Sequence, residues 1–358
     1  MSRRPGILFL ACMMIAALFL PSRIAIAEDA GKPAVRVKSV RKLFHNGEHN
    51  AFTDMCKFQG KYYLTFRSCP DGHMLHPTST IIIMSSEDAK TWKQVHRFSV
   101  KLRDVRDPHF LVFKEKLFVY TGTWYCGETS PKTRDMNELL GYAVWSDNGT
   151  DWSGPTMLEG TYGHYVWRAA TYGGKAYLCG RRKKEFAQVT SRGERDSLVE
   201  SAILESDDGL IFRKAGLFQE QYGDETAFLF EKDGSALAIA RSGSGRNAQI
   251  CRSTAPYKNW ERVDLDRYIG GPLVVKWGDH YMVGGRKTLT GKAVTSLCWL
   301  VDNRLHEFAE LPSGGDNSYP GFLELSPKRA LVSYYSSHEK DESGKTITAI
   351  YMAELEIE

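Results

Sequence analysis

Ser86-Glu87-Asp88-Ala89-Lys90-Thr91-Trp92 returns in pattern as Ser146-Asp147-Asn148-Gly149-Thr150-Asp151-Trp152, and again as Ser206-Asp207-Asp208-Gly209-Leu210-Ile211-Phe212. The three serines are evenly spaced, sixty positions apart. Each segment has an acid or Asn two places after the Ser and an aromatic at its seventh place. Self-similarity at such an interval marks a repeat architecture. The pattern predicts an all-β six-bladed β-propeller built from four-stranded antiparallel blades.

The repeated boxes have a physical role of their own. Asp88, Asn148 and Asp208 are placed to accept backbone N–H groups inside a tight turn, and Gly at the fourth place supplies φ > 0. Trp92, Trp152 and Phe212 return to pack between blades. Counting strands puts each box between the third and fourth strands of its blade, opposite the start of the first strand. Ser86, Ser146, Ser206 and their box partners therefore read as structural. Asn148-Gly149-Thr150 is also a glycosylation sequon, but the turn suffices to explain it.

Working outward, units of one shape repeat along the chain. First runs begin near Thr53, Pro108, Arg168, Thr226, Pro272 and Pro320, each followed by a turn, a second apolar run, a polar loop and a hairpin. Val35–Val40 alternates ahead of the first unit, and the chain ends in the strand-like Ile347–Leu355. The N-terminal strand is expected to complete the last blade, leaving no open seam. The longest polar insertions, Gly127–Glu138 and Lys183–Ser197, read as loops over a pocket.

Residues 1–27 read as a secretory signal peptide. Arg3 and Arg4 precede the apolar stretch Gly6–Leu20, and Ala25-Ile26-Ala27 fits a cleavage site. Residues 28–358 then form one exported domain, periplasmic or extracellular, with no later apolar run long enough to span a membrane. The whole chain carries 47 Lys and Arg against 43 Asp and Glu. Three of the arginines leave with the leader, so the remainder is close to neutral, which argues against a nucleic-acid partner. Cys56, Cys69, Cys126, Cys179, Cys251 and Cys298 are scattered; most are expected as buried thiols, with Cys56–Cys69 the favoured bridge.

Polar residues recur where first strands start and second strands end, the places a propeller gathers around one end of its axis. Asp54, Arg106, Asp107, Trp167, Arg168, Glu225 and Tyr319 open units. Arg67, Arg181, Arg241 and Arg286 close second strands, as do Tyr335, Ser337 and His338 in the last unit. Guanidiniums gathered at one axis repel unless an anion or internal carboxylates neutralise them. Arginine also suits bidentate carboxylate recognition. The expected ligand is an acidic glycan or oligosaccharide bearing a carboxylated sugar, met by a monomer with no cofactor. A structural ring of arginine–carboxylate pairs is the alternative. Metal use is not indicated, since His73 and His76 alone make too small a ligand set.

At this point the chain resembles the sialidase superfamily, over nearly all of residues 28–358. The three boxes resemble that family's Asp-box repeats. Glu225 followed by Arg241 resembles its fourth-blade pattern, and Arg286 followed by Tyr319 resembles its third arginine and tyrosine nucleophile. The resemblance implies that Glu225 takes the proton of Tyr319, whose phenolate attacks the anomeric carbon, while Arg241 and Arg286 clamp the sugar carboxylate. Sialidases are known exceptions to the two-carboxylate rule of glycosidases. Two departures stand out. The stretch His49–Asp54 lacks the family's first arginine, with Arg67, Arg106 or Arg168 the candidates to replace it. The loop Ser68–His76 offers Asp71, His73 or His76 as acid/base. Ser313–Gly321 and Ser333–His338 also resemble a group of exported bacterial sialidase-like propellers. The function implied is retaining hydrolysis of a terminal acidic sugar, with hydrolase or lyase action on uronate polysaccharides, or glycan binding without catalysis, as rivals.

Overall fold

The computed structural model describes Met1 and residues 32–130, 134–189, 191–289 and 291–358. The expected leader, apart from Met1, lies outside the described residues. Among those residues no helix is long and apolar enough to cross a membrane.

Twenty-four strands within Ala34–Glu358 form six four-stranded sheets, the blades of a β-propeller. The six first strands are His49–Phe58, Arg103–Phe113, Tyr165–Tyr172, Gly223–Phe230, Gly270–Trp277 and Asn317–Ser326. Each starts two to five residues before the apolar run that betrays it in sequence, because the chain ahead of the run also pairs with the second strand. The last blade runs Asn317–Ser326, Arg329–Lys340, Thr346–Ile357 and then Val35–Phe44, which pairs antiparallel with Thr346–Ile357. The N-terminal strand thus closes the ring as expected, and pairing of both chain ends in one sheet leaves no unpaired seam.

The box in each of blades one to three joins third and fourth strands. Asp88 Oδ1 accepts the backbone N–H groups of Lys90 and Thr91 at 2.8 Å. Asn148 Oδ1 accepts those of Thr150 and Asp151 at 2.9 Å. Asp208 Oδ1 does the same for Leu210 and Ile211. The fourth position is left-handed in all three, including Ala89 with φ 57°. Gly149 is needed for a second reason: a Cβ there would run into Tyr63 Oη.

Aromatic residues fill the spaces between blades. Trp277 and Trp299 of blade five share one buried cluster with Tyr334 and Tyr351 of blade six. Phe212 of the third box meets the ring of Tyr120 in blade two edge-on. Each such side chain, fully buried, contributes roughly 2–3 kcal/mol. The expected Cys56–Cys69 bridge is corrected: the six cysteines among the described residues are all free, five of them buried. Cys56 lies opposite Tyr63 and Cys69 opposite His49, at the two ends of one hairpin, so neither can reach the other.

Candidate active site

The same irregularity interrupts all six first strands. Pairing breaks after Ala51, Arg106, Val166, Gly223, Gly270 and Ser318, and in each case two residues then face one on the second strand. These are β-bulges, which re-aim side chains and increase local twist. The bulged pairs are Phe52-Thr53, Asp107-Pro108, Trp167-Arg168, Asp224-Glu225, Gly271-Pro272 and Tyr319-Pro320. Phe52, Asp107, Gly271 and Tyr319 have φ between 51° and 63°. Six equivalent bulges therefore turn these residues toward one another.

Their convergence is tight. Tyr319 Oη lies 2.9 and 3.0 Å from the two carboxyl oxygens of Glu225. Arg241 Nη1 is 3.2 Å from the same hydroxyl and 2.7 Å from Glu225 Oε2. The Tyr319 ring is met edge-on by the rings of Phe52 at 5.0 Å and of Trp167 at 6.3 Å. Gly271 closes the remaining side: a Cβ there would lie 2.6 Å from the tyrosine ring. Burial pushes the Tyr319 phenol well above its usual range; the Glu225 charge adds to this, while Arg241 and Arg286 oppose it. Such a phenol ionises only if a neighbour takes its proton, and Glu225 is within reach.

A cavity of about 1430 Å³ opens beside this centre. Arg181, Arg241, Arg286 and Tyr268 line it, together with residues of the two long insertions, among them Arg134, Arg192 and Arg195. Seven cationic side chains face it against three carboxylates. Tyr319 itself is set back from the wall and is 8% exposed.

Internal carboxylates meet the guanidiniums almost one for one. Arg181 pairs with Asp224, Arg241 with Asp224 and Glu225, and Arg286 with Asp316. This is the ring of pairs that the sequence left open as an alternative to a bound anion. It does not exhaust the donors: Nε of Arg181 is buried without a hydrogen-bond partner.

Asp107 sits on the blade-two bulge, equivalent to Tyr319 in blade six. Its Oδ2 accepts from Tyr165 Oη. Burial, reinforced by the Glu225 charge and opposed by Arg106, pushes its carboxyl up to about 7. A carboxyl in that range can hold a proton near neutrality and give it up.

Several expected ligand contacts have other duties. Arg67 is fully buried; it pairs with Asp104 and donates to the carbonyls of Gly72 and Met74, so it cannot bind a substrate. Asp54 and Arg168 pair at 3.0 Å, Asp54 also accepts the Phe110 N–H, and Arg168 donates to the Pro320 carbonyl. They brace the inner strands. Arg106 is buried beside Asp104, lies 5.2 Å over the Phe52 ring and donates to the His73 carbonyl. Asp71 accepts from Thr78 in the loop. His338 is held by Ser336, packs at a tilt on the Tyr351 ring and lies 3.7 Å from Glu339, with no contact to Tyr319 among the described residues. His73 Nδ1 stands 2.7 Å from Asp316 Oδ2, and its ring lies 6.0 Å from that of Phe52.

Sequence reading passed over Asp224, Asp316, Tyr165 and Tyr268, and gave Arg181 no ligand role. Arg181 carried a usable signal, since it closes the second strand of its unit as Arg241 and Arg286 close theirs. Asp224 is the first residue of its bulge and Glu225 the second, which no linear pattern of apolar residues reveals. Asp316 lies just ahead of its strand, in a loop that reads as an ordinary turn.

No family model matches the chain, and no curated protein does. Solved structures do. A protein of unknown function from Dyadobacter fermentans superposes with a TM-score of 0.74 at 20% identity, covering 91% of this chain and 100% of that one. The Trypanosoma rangeli sialidase bound to the inhibitor DANA gives 0.63 at 14% identity, over 89% of this chain and 58% of that one. A Hadza microbial sialidase gives 0.64 at 13% identity, over 85% and 65%. This chain therefore spans well under two thirds of the trypanosome enzyme, and what it has in common with all three is the fold. With its six blades, axial bulges and Asp boxes, the chain is a sialidase-like β-propeller.

Proposed function

We propose that this propeller is an exported glycoside hydrolase that removes a carboxylated sugar with retention of configuration, by way of Tyr319. The observation that carries the reading is the hydrogen bonding of Tyr319 Oη to both oxygens of Glu225, with Arg241 against the same hydroxyl. A phenol suits an anomeric centre that bears a carboxylate, because an anionic carboxylate nucleophile would be repelled by it.

In this reading Arg181, Arg241 and Arg286 orient the sugar carboxylate from the cavity wall. Tyr319 Oη attacks the anomeric carbon as Glu225 accepts its proton, and the glycosidic C–O bond breaks. Asp107, rather than Asp71 or His73, gives its proton to the leaving oxygen. Water then attacks the tyrosyl-linked sugar. Asp107 takes the proton of that water, and the phenol recovers its own from Glu225. Asp107 is favoured because burial and the Glu225 charge raise its carboxyl to about 7, and because it occupies the blade-two bulge equivalent to that of Tyr319.

The test is a product-resolved screen against sialylated and uronate-containing glycans, run with Tyr319→Phe and Glu225→Gln. Release of an acidic monosaccharide, lost in both variants, supports the reading. An unsaturated uronate product identifies a lyase instead. Binding without any product, unchanged in Tyr319→Phe, identifies a glycan-binding propeller.

A further inference from the structure

Beside the Tyr319 centre, and joined to it through Arg286 and Tyr335, three metal-capable groups meet. His49 opens the first strand of blade one, His73 lies in the loop after its second strand, and Asp316 immediately precedes the first strand of blade six. Asp316 Oδ2 is 3.0 Å from His49 Nε2 and 2.7 Å from His73 Nδ1. All three ligand atoms lie within 4.8 Å of one another. His76, the partner that the sequence offers for His73, instead turns its backbone N–H to Asp104.

We propose that His49, His73 and Asp316 bind one divalent cation of the zinc class. Ligand atoms about 2.0–2.1 Å from a tetrahedral ion stand about 3.3 Å apart, so to seat one both nitrogens draw back from Oδ2 by about 0.3–0.6 Å and come to about 3.3 Å from each other. Without an ion, each imidazole must direct an N–H at the same carboxylate oxygen. A cation replaces those two protons with one centre that both nitrogen lone pairs and the oxygen can share.

The surroundings fix the carboxylate for this task. Arg286 Nη2 and Tyr335 Oη hold Asp316 Oδ1 at 3.0 and 2.8 Å, which leaves Oδ2 to face the imidazoles. Outer partners of this kind set ligand orientation. His73 is 45% exposed on its side chain, so an ion can enter without unfolding. Three protein ligands leave a position for an oxygen of water or of a sugar.

The donor set also selects among cations. Two imidazole nitrogens and one carboxylate suit zinc, cobalt or nickel. Calcium and magnesium need more oxygen ligands than the cluster supplies. The positive charge of Arg286 beside the carboxylate weakens any cation here, so an exchangeable ion is expected.

The experiment uses the full chain after treatment with a chelator. Zinc is titrated calorimetrically, and cobalt is followed by its visible absorption bands. The expected result is one equivalent bound, with at least tenfold weaker binding in His73→Ala and in His49→Gln, and parent binding in His76→Ala. His73→Ala is the safer variant because the ring is exposed; a melting curve checks that it folds. Absence of stoichiometric zinc uptake, uptake unaffected by both His73→Ala and His49→Gln, or calcium uptake equal to that of zinc would each overturn the proposal.

Discussion

Arg168 of blade three donates from Nη2 to the carbonyl oxygen of Pro320 in blade six, at 2.6 Å, one residue beyond Tyr319. The second terminal nitrogen of the same guanidinium pairs with Asp54 of blade one. From blade one, Thr53 Oγ1 also donates to the Tyr319 carbonyl at 2.9 Å. Blades one and three thus hold the backbone that carries the tyrosine. Replacing Arg168 by Met should leave the buried Asp54 with only His109, at 3.4 Å, and the Phe110 N–H as partners, and cost on the order of 3 kcal/mol of stability. Urea unfolding measures this, and a loss below about 1 kcal/mol would show that the pair is not structural.

Gly271→Ala should be damaging at a site with no chemistry of its own. Its φ of 57° disfavours a side chain, and the added carbon would press on the Tyr319 ring. Strain of this kind costs about 1–3 kcal/mol. The expected outcome is a fall in kcat larger than any change in KM, as the phenol is displaced from Glu225. Unchanged kcat with an ordinary melting curve would show that the ring has room to move.

Gly149→Ala tests the Asp boxes as turns. Here too φ is positive, at 72°, and the new methyl meets Tyr63. Stability should fall by about 1–3 kcal/mol with activity per folded molecule unchanged, because the box lies at the opposite end of its blade from Tyr319. Tyr63→Phe should recover part of the loss. A selective loss of activity without loss of stability would contradict a structural role.

The pH dependence follows from Asp107. Its folded-state carboxyl is raised, to about 7, by burial and the Glu225 charge. Activity that needs the protonated acid should therefore fall as pH rises through about 7. The sign for stability is the same: the folded state holds a proton that the unfolded chain has released above about 4, so this contribution declines from about pH 4 to 7. Asp107→Asn should flatten the decline in stability and abolish the alkaline limb of the rate profile. An alkaline limb that survives in Asp107→Asn assigns the proton to another group.

The fold was legible because its signals are local. A Ser-x-Asp turn with an aromatic return has the same chemistry in every blade, and the alternating Val35–Val40 has only one place to pair. The Tyr319–Glu225 pair was legible only through a family likeness, since 94 residues separate its members. What linear reading could not supply was the bulge. Nor could it supply the carboxylates that decide each arginine's place: Asp104 holds Arg67 in the interior, while Asp224 holds Arg181 at the cavity wall. Asp316 drew in His49 across 267 residues, a contact no spacing rule anticipates.

The central claim is that Tyr319 becomes covalently linked to the sugar. The direct measurement is mass spectrometry of the quenched protein, followed by peptide mapping, during turnover of a fluorinated analogue of whichever acidic sugar the screen shows to be released. The account predicts one sugar adduct, on Tyr319, absent from Tyr319→Phe. Turnover by Tyr319→Phe at the parent rate, or an adduct on any other residue, would contradict it.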